Sequence, residues 1–343
     1  MIDPFLLEIV ACPWEGNRLQ LDEGMLACSA GHRFPIVDGI PVLLRDDVEQ
    51  THFQATRSLT IARGAAPPGE FENRQAGELA PGEIDPIVQA EVAGTNGIMY
   101  KPLIGKLRSY PIPDLALPPG DGKRFLEIGS NWGRWCIAAA RLGYTVVGVD
   151  PSLRGVRAAS RVAAQLGVTA RFVVGDARYL PIRDETFDVV YSYSVLQHLS
   201  KEDASAGLRH AHRILRPGGM TMIQMPNAFG LRSLYHQARR GFRPAREFEV
   251  RYWTPAELRR RFEELIGPAR LTIDGFFSLN PQVAERHLLP LRYRAVVTVS
   301  DTLKRWGERF PIFQQVADSL TVFARKRGPA DDEAPVPPPR AAA

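Results

Sequence analysis

The clearest pattern along the chain begins at Arg124, where short apolar runs alternate with amphipathic stretches as far as about residue 227. The apolar runs are RFLEIG, TVVGVD, ARFVVGD, FDVVYSYS and GMTMIQMP. Each has the length of a strand, and strands that alternate with helices are typical of a parallel sheet with helices on both faces. We therefore predict an α/β fold. Two later runs, LTIDGFFSL and SLTVFARK, are further strand candidates on either side of a helical stretch.

Capping residues predict where several helices begin. Ser152 precedes an Ala- and Arg-rich stretch that ends at Gly167, and Ser200 precedes another amphipathic stretch. Thr254 is followed by Pro255 at the first helical position and by a glutamate three residues after the cap, the arrangement of a capping box. These signals place helices in the gaps between the strand candidates.

The remaining segments differ in composition. Residues 1–48 form a compact head that closes with FPIVDGIPVLL, and residues 49–84 have the Gly- and Pro-rich composition of a structureless linker. We assign residues 85–327 to the main domain, with a core at 124–227 and a cap at 228–318. The tail 328–343 has no apolar pattern that could form a core, so we predict that it is disordered.

Composition and charge narrow the class of protein. No apolar run reaches the roughly 18 residues that a transmembrane helix needs, and acidic residues stand where a signal peptide has basic ones. With only three cysteines, these features lead us to expect a cytoplasmic protein. Residues 231–327 carry 19 Lys+Arg against 10 Asp+Glu. This surplus favours an anionic substrate, a nucleic acid or a membrane surface, unless the arginines simply cover solvated helix faces.

The segment FLEIGSNWGRW joins the first strand of the core to a helix through a turn with two glycines. Gly129 and Gly133 allow the backbone to turn sharply and approach a ligand closely. The dinucleotide fingerprint would need glycines where Asn131 and Arg134 stand, which argues against a nicotinamide or flavin site. The next strand ends in Asp150, 21 residues after Gly129, about the separation at which an acidic side chain accepts hydrogen bonds from a ribose diol.

These features resemble the class I S-adenosylmethionine-dependent methyltransferases, in particular the branch that includes the ubiquinone and menaquinone biosynthesis methyltransferases. The resemblance implies a Rossmann-like, seven-stranded sheet with S-adenosylmethionine as the cofactor. It implies that Glu127, Gly129 and Gly133 hold the amino-acid part of the cofactor and that Asp150 binds the ribose. Asn131 stands where this family often has a third glycine, so the turn would differ slightly in shape.

The resemblance continues as far as residue 226 through the motifs GDA, LPIRDETFDVVYSYSVLQHL and RILRPGG. It implies that Asp176 and Ala177 contact the adenine. We also expect Asn131 in the turn and Ser192 at the mouth of the site to contact the cofactor. Tyr100 resembles an aromatic residue that some members fold over the cofactor. His198, in VLQHL, is our candidate for a general base, because imidazole titrates near neutral pH; the alternative is a packing or water-binding role.

The head resembles the small zinc-ribbon-like proteins that partner RNA and protein methyltransferases. Cys28 and His32 have the spacing of half a zinc site, whereas Cys12 has Glu15 at the position where a second cysteine is expected. Three ligands plus a carboxylate could hold zinc. We favour instead a degenerate, metal-free ribbon that is held by its apolar core.

We therefore predict methyl transfer to a small-molecule acceptor, with an oxygen nucleophile favoured on a metabolite, glycan or lipid-linked intermediate. The ribbon-like head keeps an RNA methyltransferase as the enzymatic alternative, although the chain has no N-P-P-Y-like element or catalytic cysteine typical of base methylation. The other alternative is a non-catalytic protein that binds the cofactor or a partner. The sequence leaves the oligomeric state open.

Overall fold

The computed structural model describes residues 2–66, 79–80, 82–277, 282–307, 309–310 and 312–328. The predicted disordered tail lies outside these ranges except for its first residue. Within the described residues, no helix is long and apolar enough to cross a membrane.

From β6 onward, the strands come in the order that the sequence pattern predicts. The strands are β1 (Gln20–Asp22), β2 (Met25–Ala27), β3 (Arg33–Phe34), β4 (Ile36–Val37), β5 (Ile40–Pro41), β6 (Arg124–Ile128), β7 (Thr145–Asp150), β8 (Ala170–Val174), β9 (Phe187–Ser192), β10 (Leu215–Pro226), β11 (Ala269–Gly275) and β12 (Ser319–Arg325). The helices are α1 (Pro4–Ile9), α2 (Phe53–Ala62), α3 (Pro86–Thr95), α4 (Arg134–Arg141), α5 (Leu153–Gln165), α6 (Lys201–Ile214), α7 (Leu231–Arg239), α8 (Pro255–Leu265), α9 (Leu291–Gly307) and α10 (Ile312–Val316).

The main sheet has seven strands in the order β11, β12, β10, β9, β6, β7, β8. Strands β6 to β10 are parallel, and β12 runs antiparallel to both β10 and β11. The carboxyl ends of β6, β7, β9, β10 and β11 therefore meet at one edge of the sheet. The predicted α/β fold is confirmed, and this edge is where ligands of such folds bind.

The predicted helix starts are also confirmed. The Ser152 hydroxyl accepts a hydrogen bond from Gly155 N at 3.0 Å, and Ser200 accepts one from Asp203 N at 2.9 Å. Thr254 and Glu257 form the reciprocal bonds of a capping box at the start of α8. Local sequence fixes these helix ends because each cap satisfies a backbone amide that has no partner inside its helix.

The head docks directly on the main domain. Its segment after β5 continues the main sheet at the β8 edge, where Leu43 N donates to Val174 O at 2.8 Å. On the other side, Ala11 N donates to Pro181 O at 2.9 Å. Four buried leucines of the head share one apolar core with Ile182 and the sheet, namely Leu6, Leu19, Leu26 and Leu43. The head is therefore packed against the main domain by both backbone bonds and apolar contacts.

We predicted a structureless linker at residues 49–84. This prediction is wrong for the first part of the range, because α2 occupies Phe53–Ala62. The Ser58 hydroxyl lies 2.7 Å from Pro151 O and accepts a hydrogen bond from Leu153 N at 2.8 Å. Helix α2 is thus fixed to the start of α5, beside the end of β7. Residues 67–78 and 81, which hold most of the Gly- and Pro-rich part, lie outside the described residues.

Candidate functional site

The turn between β6 and α4 has the geometry that its two glycines predict. Gly129 and Gly133 have φ values of 78° and 80°, and Asn131 has a φ of 42°. Asparagine tolerates this left-handed region better than most residues, since its short side chain bonds locally. Here the Asn131 Oδ1 accepts from Trp132 N at 2.7 Å. Asn131 therefore adopts the left-handed conformation, and its side chain bonds within the turn.

Asp150 lies at the carboxyl end of β7 and faces this turn. Its carboxylate accepts hydrogen bonds from Asn131 N and Ser152 N, both at 2.8 Å. Burial raises the pKa of Asp150 to about 6. Two backbone donors leave lone pairs on both carboxylate oxygens, so the group keeps the capacity to accept further hydrogen bonds.

Glu127 is buried one residue before the end of β6. One of its carboxylate oxygens accepts from Cys136 N at 2.9 Å, in the first turn of α4. Gly133 precedes that helix and offers no side chain to cap it, so Glu127 supplies the missing acceptor. Burial raises the pKa of Glu127 to about 8. Glu127 therefore caps the start of α4. Its contact with a cofactor stays a prediction.

Asp176 caps the short 3-10 turn Ala177–Tyr179, which follows β8. Its carboxylate accepts from Arg178 N at 2.8 Å and forms an ion pair with the Arg178 guanidinium at 2.7 Å. The same guanidinium donates to Glu49 O at 2.8 Å, which ties the start of the predicted linker to this strand end. Arg178 was not among our predicted site residues, although its position two residues after Asp176 is a local signal that could have indicated it.

His198 lies in the 3-10 turn Leu196–His198 after β9. Its ring stacks on Phe248 with a centroid distance of 4.0 Å, and its Nδ1 lies 2.7 Å from Phe248 O. Gln197 Nε2 lies 3.2 Å from His198 Nε2 and 2.8 Å from Ser194 Oγ. Because the Gln197 amide is a donor, these contacts favour the neutral tautomer that carries its proton on Nδ1. Burial lowers the pKa of His198, which also favours the neutral form at pH 7.

Two family models match the chain. The model for a methyltransferase domain matches residues 125–219, and the model for Trm112p-like proteins matches residues 3–39. Residues 125–219 form a methyltransferase domain. The boundaries of this domain enclose the turn, Asp150, Asp176 and His198.

Curated relatives match about a third of the chain. The chain is 34% identical over 117 residues to a ubiquinone biosynthesis O-methyltransferase of Brucella anthropi, covering 33% of this chain and 46% of the relative. It is 35% identical over 112 residues to one of Parvibaculum lavamentivorans, covering 33% and 44%. The chain thus spans less than half the length of the curated relatives that it matches.

Solved structures with a similar fold include a phosphoethanolamine N-methyltransferase 2 of Haemonchus contortus. That chain is 17% identical, with a TM-score of 0.47, and the match covers 71% of this chain and 60% of the other.

Two other predicted site residues, Ser192 and Tyr100, are buried. The Ser192 hydroxyl donates to Ile128 O at 3.0 Å, so it is used within the sheet. Tyr100 is fully buried in the 3-10 turn Ile98–Leu103, where burial and the nearby Glu285 carboxylate raise its pKa. Glu285 also forms a buried ion pair with Arg134 at 3.3 Å. Sequence reasoning missed this pair because its members lie 151 residues apart.

The structure brings together three of the four zinc candidates in the head. Cys12, Cys28 and His32 each place a ligand atom within 4.8 Å of the others. His32 Nδ1 lies 3.4 Å from Cys28 Sγ and 3.6 Å from Cys12 Sγ. Zinc bonds of about 2.3 Å to sulfur and about 2.0 Å to nitrogen would place such atoms about 3.5 Å apart in a tetrahedron, so the three donors fit the metal. Glu15 is exposed and lies outside the cluster, which corrects its place in the predicted ligand set.

Proposed function

We propose that this chain transfers a methyl group from S-adenosylmethionine to an oxygen nucleophile of a small-molecule acceptor. The observation that carries the proposal is the position of Asp150, whose carboxylate is bound to the backbone of the turn that Gly129 opens. An acidic side chain fixed beside a glycine turn can accept hydrogen bonds from the ribose hydroxyls of a nucleoside. The backbone of the turn can then approach another part of the same ligand.

Features of the turn support a fit with this cofactor. The hydroxyl of Ser130 is buried and has no hydrogen-bond partner among the described residues. A Cβ at Gly129 would lie 2.2 Å from the Val195 side chain, so the backbone and the loop after β9 approach each other closely there. When bound, S-adenosylmethionine supplies a methyl group on a positively charged sulfur, which makes that carbon open to attack.

The residues of the chain would contribute mainly by positioning. Methyl transfer is an in-line displacement, so the protein must hold the nucleophile about 3 Å from the methyl carbon and opposite the sulfur. A hydroxyl nucleophile must also lose its proton, and a base in the right place adds about 10² to 10⁴-fold. We assign this role to His198, because its neutral form prevails at pH 7 and it lies at the carboxyl edge of the sheet.

The relatives and the cap support the proposed acceptor class. The curated relatives are ubiquinone biosynthesis O-methyltransferases by name, and they are 34% and 35% identical to this chain over 117 and 112 residues. Phe248, in the segment 228–318 that we assign to the cap, stacks on His198. We therefore place acceptor selection in the cap, with the acceptor hydroxyl directed toward His198.

The decisive experiment is calorimetric titration of the chelator-treated protein with S-adenosylmethionine and, separately, with NADH. We expect S-adenosylmethionine alone to bind, and Asp150→Ala to weaken its binding by about 10- to 100-fold, because hydrogen bonds to a charged group are lost. Asp184→Ala, at an exposed turn, is the matched control and should bind normally. Equal affinity of the Asp150→Ala protein, or binding of NADH, would refute the cofactor assignment.

A further inference from the structure

A buried pair of opposite charges beside the glycine turn is incompletely hydrogen-bonded. Arg134, the first residue of α4, is 5% exposed, and Glu285, in the 3-10 turn Val283–Leu288, is 1% exposed. Arg134 Nη2 lies 3.3 Å from each carboxylate oxygen of Glu285. A hydrogen bond between charged groups is typically about 2.7 to 2.9 Å long. Both contacts are therefore long for an ion pair that is closed on itself.

Both members of the pair keep unused hydrogen-bonding capacity. Arg134 Nε and Glu285 Oε1 are buried, and neither atom makes a hydrogen bond within the part of the chain that the structure describes. A guanidinium has five N–H donors and a carboxylate has about four acceptor positions, and leaving such groups buried without a partner is unfavourable. Arg134 therefore offers a buried donor, and Glu285 offers a buried acceptor of opposite charge.

The Glu285 carboxylate is fixed by bonds that do not involve Arg134. Its other oxygen, Oε2, accepts a hydrogen bond from Gln282 N at 2.9 Å. The side chain of Gln282 donates to Tyr193 OH at 3.0 Å, and Tyr193 OH donates to Asp274 Oδ2 at 3.0 Å. These bonds hold the carboxylate in place in advance, so a ligand would lose little free energy in ordering it.

The pair lies near the carboxyl edge of the sheet. Arg134 is the first residue after the turn between β6 and α4, and Tyr193, to which Gln282 is bound, directly follows β9. In the sheet, β6 lies between β9 and β7, and Asp150 is the last residue of β7. Asp150 therefore lies on one side of β6, and Glu285 is tied to the strand on the other side.

An α-amino acid group complements these two side chains. At pH 7 its carboxylate can accept hydrogen bonds from a guanidinium, and its ammonium group can donate to a carboxylate. S-adenosylmethionine carries such a group at the end opposite its adenosine. A phosphate would pair with Arg134 but would be repelled by Glu285, since like charges at short range raise the free energy. A group that carries both charges therefore fits this pair best.

We infer that Arg134 and Glu285 bind the amino-acid end of S-adenosylmethionine, a role that rests on the proposed function. Arg134 donates hydrogen bonds to the carboxylate of the cofactor, and Glu285 accepts one from its ammonium group. With its ribose at Asp150, the cofactor extends across the glycine turn toward the β9 side. Because Glu285 belongs to the cap, the cap contributes a side chain to the cofactor site.

The test compares two ligands by calorimetric titration of the full chain. S-adenosylhomocysteine keeps the amino-acid group, whereas methylthioadenosine has the same adenosine and sulfur without that group. We expect the unchanged protein to bind S-adenosylhomocysteine at least about tenfold more tightly, because it adds hydrogen bonds between charged groups. Arg134→Gln together with Glu285→Gln removes both charges and leaves no unpaired buried charge. This double variant should weaken S-adenosylhomocysteine binding at least about tenfold and leave methylthioadenosine binding unchanged.

A second variant and a matched control complete the comparison. Arg134→Lys keeps the charge but loses the planar fork of donors, so it should weaken the binding of S-adenosylhomocysteine alone. Arg261→Gln together with Glu264→Gln removes an exposed ion pair of α8 and should bind both ligands normally. Equal losses for the two ligands in both Arg134 variants, or an unchanged preference for S-adenosylhomocysteine, would overturn the inference. The pair would then be a structural ion pair only.

The result is distinguishable from that of the Asp150→Ala titration. If the unchanged protein binds neither ligand, the proposed function fails and this inference fails with it. If both ligands bind and Asp150→Ala weakens both, the cofactor assignment stands. The difference between the two ligands in the Arg134 variants then decides the role of the pair alone.

Discussion

The carboxyl group of Glu127 is buried and accepts a hydrogen bond from Cys136 N. Its pKa rises from 4.5 to about 8, so between these values the folded protein holds a proton that the unfolded chain releases. Folding stability therefore falls as pH rises through this window, by up to about 1.4 kcal/mol per pH unit. The amide of Glu127→Gln can still accept from Cys136 N and cannot ionise.

We therefore predict that Glu127→Gln stabilises the cofactor-free protein by an amount that grows with pH. Since each kcal/mol shifts Tm by about 2 to 4 °C in a chain of this order of size, the advantage should increase by at least about 5 °C from pH 6 to pH 8. Thermal unfolding at several pH values measures this, with Glu263→Gln on the exposed side of α8 as the control. A pH-independent difference would contradict the prediction.

His198 could act as a general base or could only pack against Phe248, and mutation can distinguish these two roles. If it is the base, His198→Gln should lower turnover about 10²-fold and remove the acidic limb of the pH profile, which lies below 6.5 because burial lowers the pKa of His198. The affinity for S-adenosylmethionine should stay unchanged. Phe248→Ala removes the stacked ring but keeps the imidazole, and should keep the acidic limb. Equal losses in both variants, with the limb retained in both, would leave only a packing role.

At the scale of elements, local signals predicted the structure well wherever they act within a few residues. The strands of the core, the caps at Ser152, Ser200 and Thr254, and the glycine turn after β6 all depend on neighbouring residues, and the structure has each of them. The composition of residues 49–84 did not indicate α2, because the Gly- and Pro-rich residues after the helix dominate it. Its own ten residues, FQATRSLTIA, contain neither glycine nor proline.

The candidate site shows the same division. The turn and Asp150 could be predicted, because strand order alone brings their two strand ends together. The Arg134–Glu285 pair could not, since it joins α4 to a 3-10 turn of the cap through a contact that only the folded chain defines. Leu231, Leu234 and Tyr235 have the helical spacing of a buried face, yet all three are exposed on α7.

At the scale of the whole molecule, the head raises the question of what holds it in place. The buried Leu6, Leu19, Leu26 and Phe34 belong to the same core cluster as the main sheet, and backbone bonds join the head to Val174 and Pro181. We expect a domain held in this way to fold without metal, in contrast to small zinc modules that are unfolded without it.

We therefore predict that the head keeps its structure without zinc, even though three of its side chains can ligate the metal. Chelation should shift Tm by less than about 2 °C relative to protein supplied with zinc, and in chelated protein Cys28→Ala should be tolerated. Leu26→Ala removes a fully buried side chain from the shared core, which costs about 2 to 5 kcal/mol and should lower Tm by at least about 4 °C. If chelation and Cys28→Ala instead lower Tm as much as Leu26→Ala does, the head owes its stability to the metal, and the three ligands are structural.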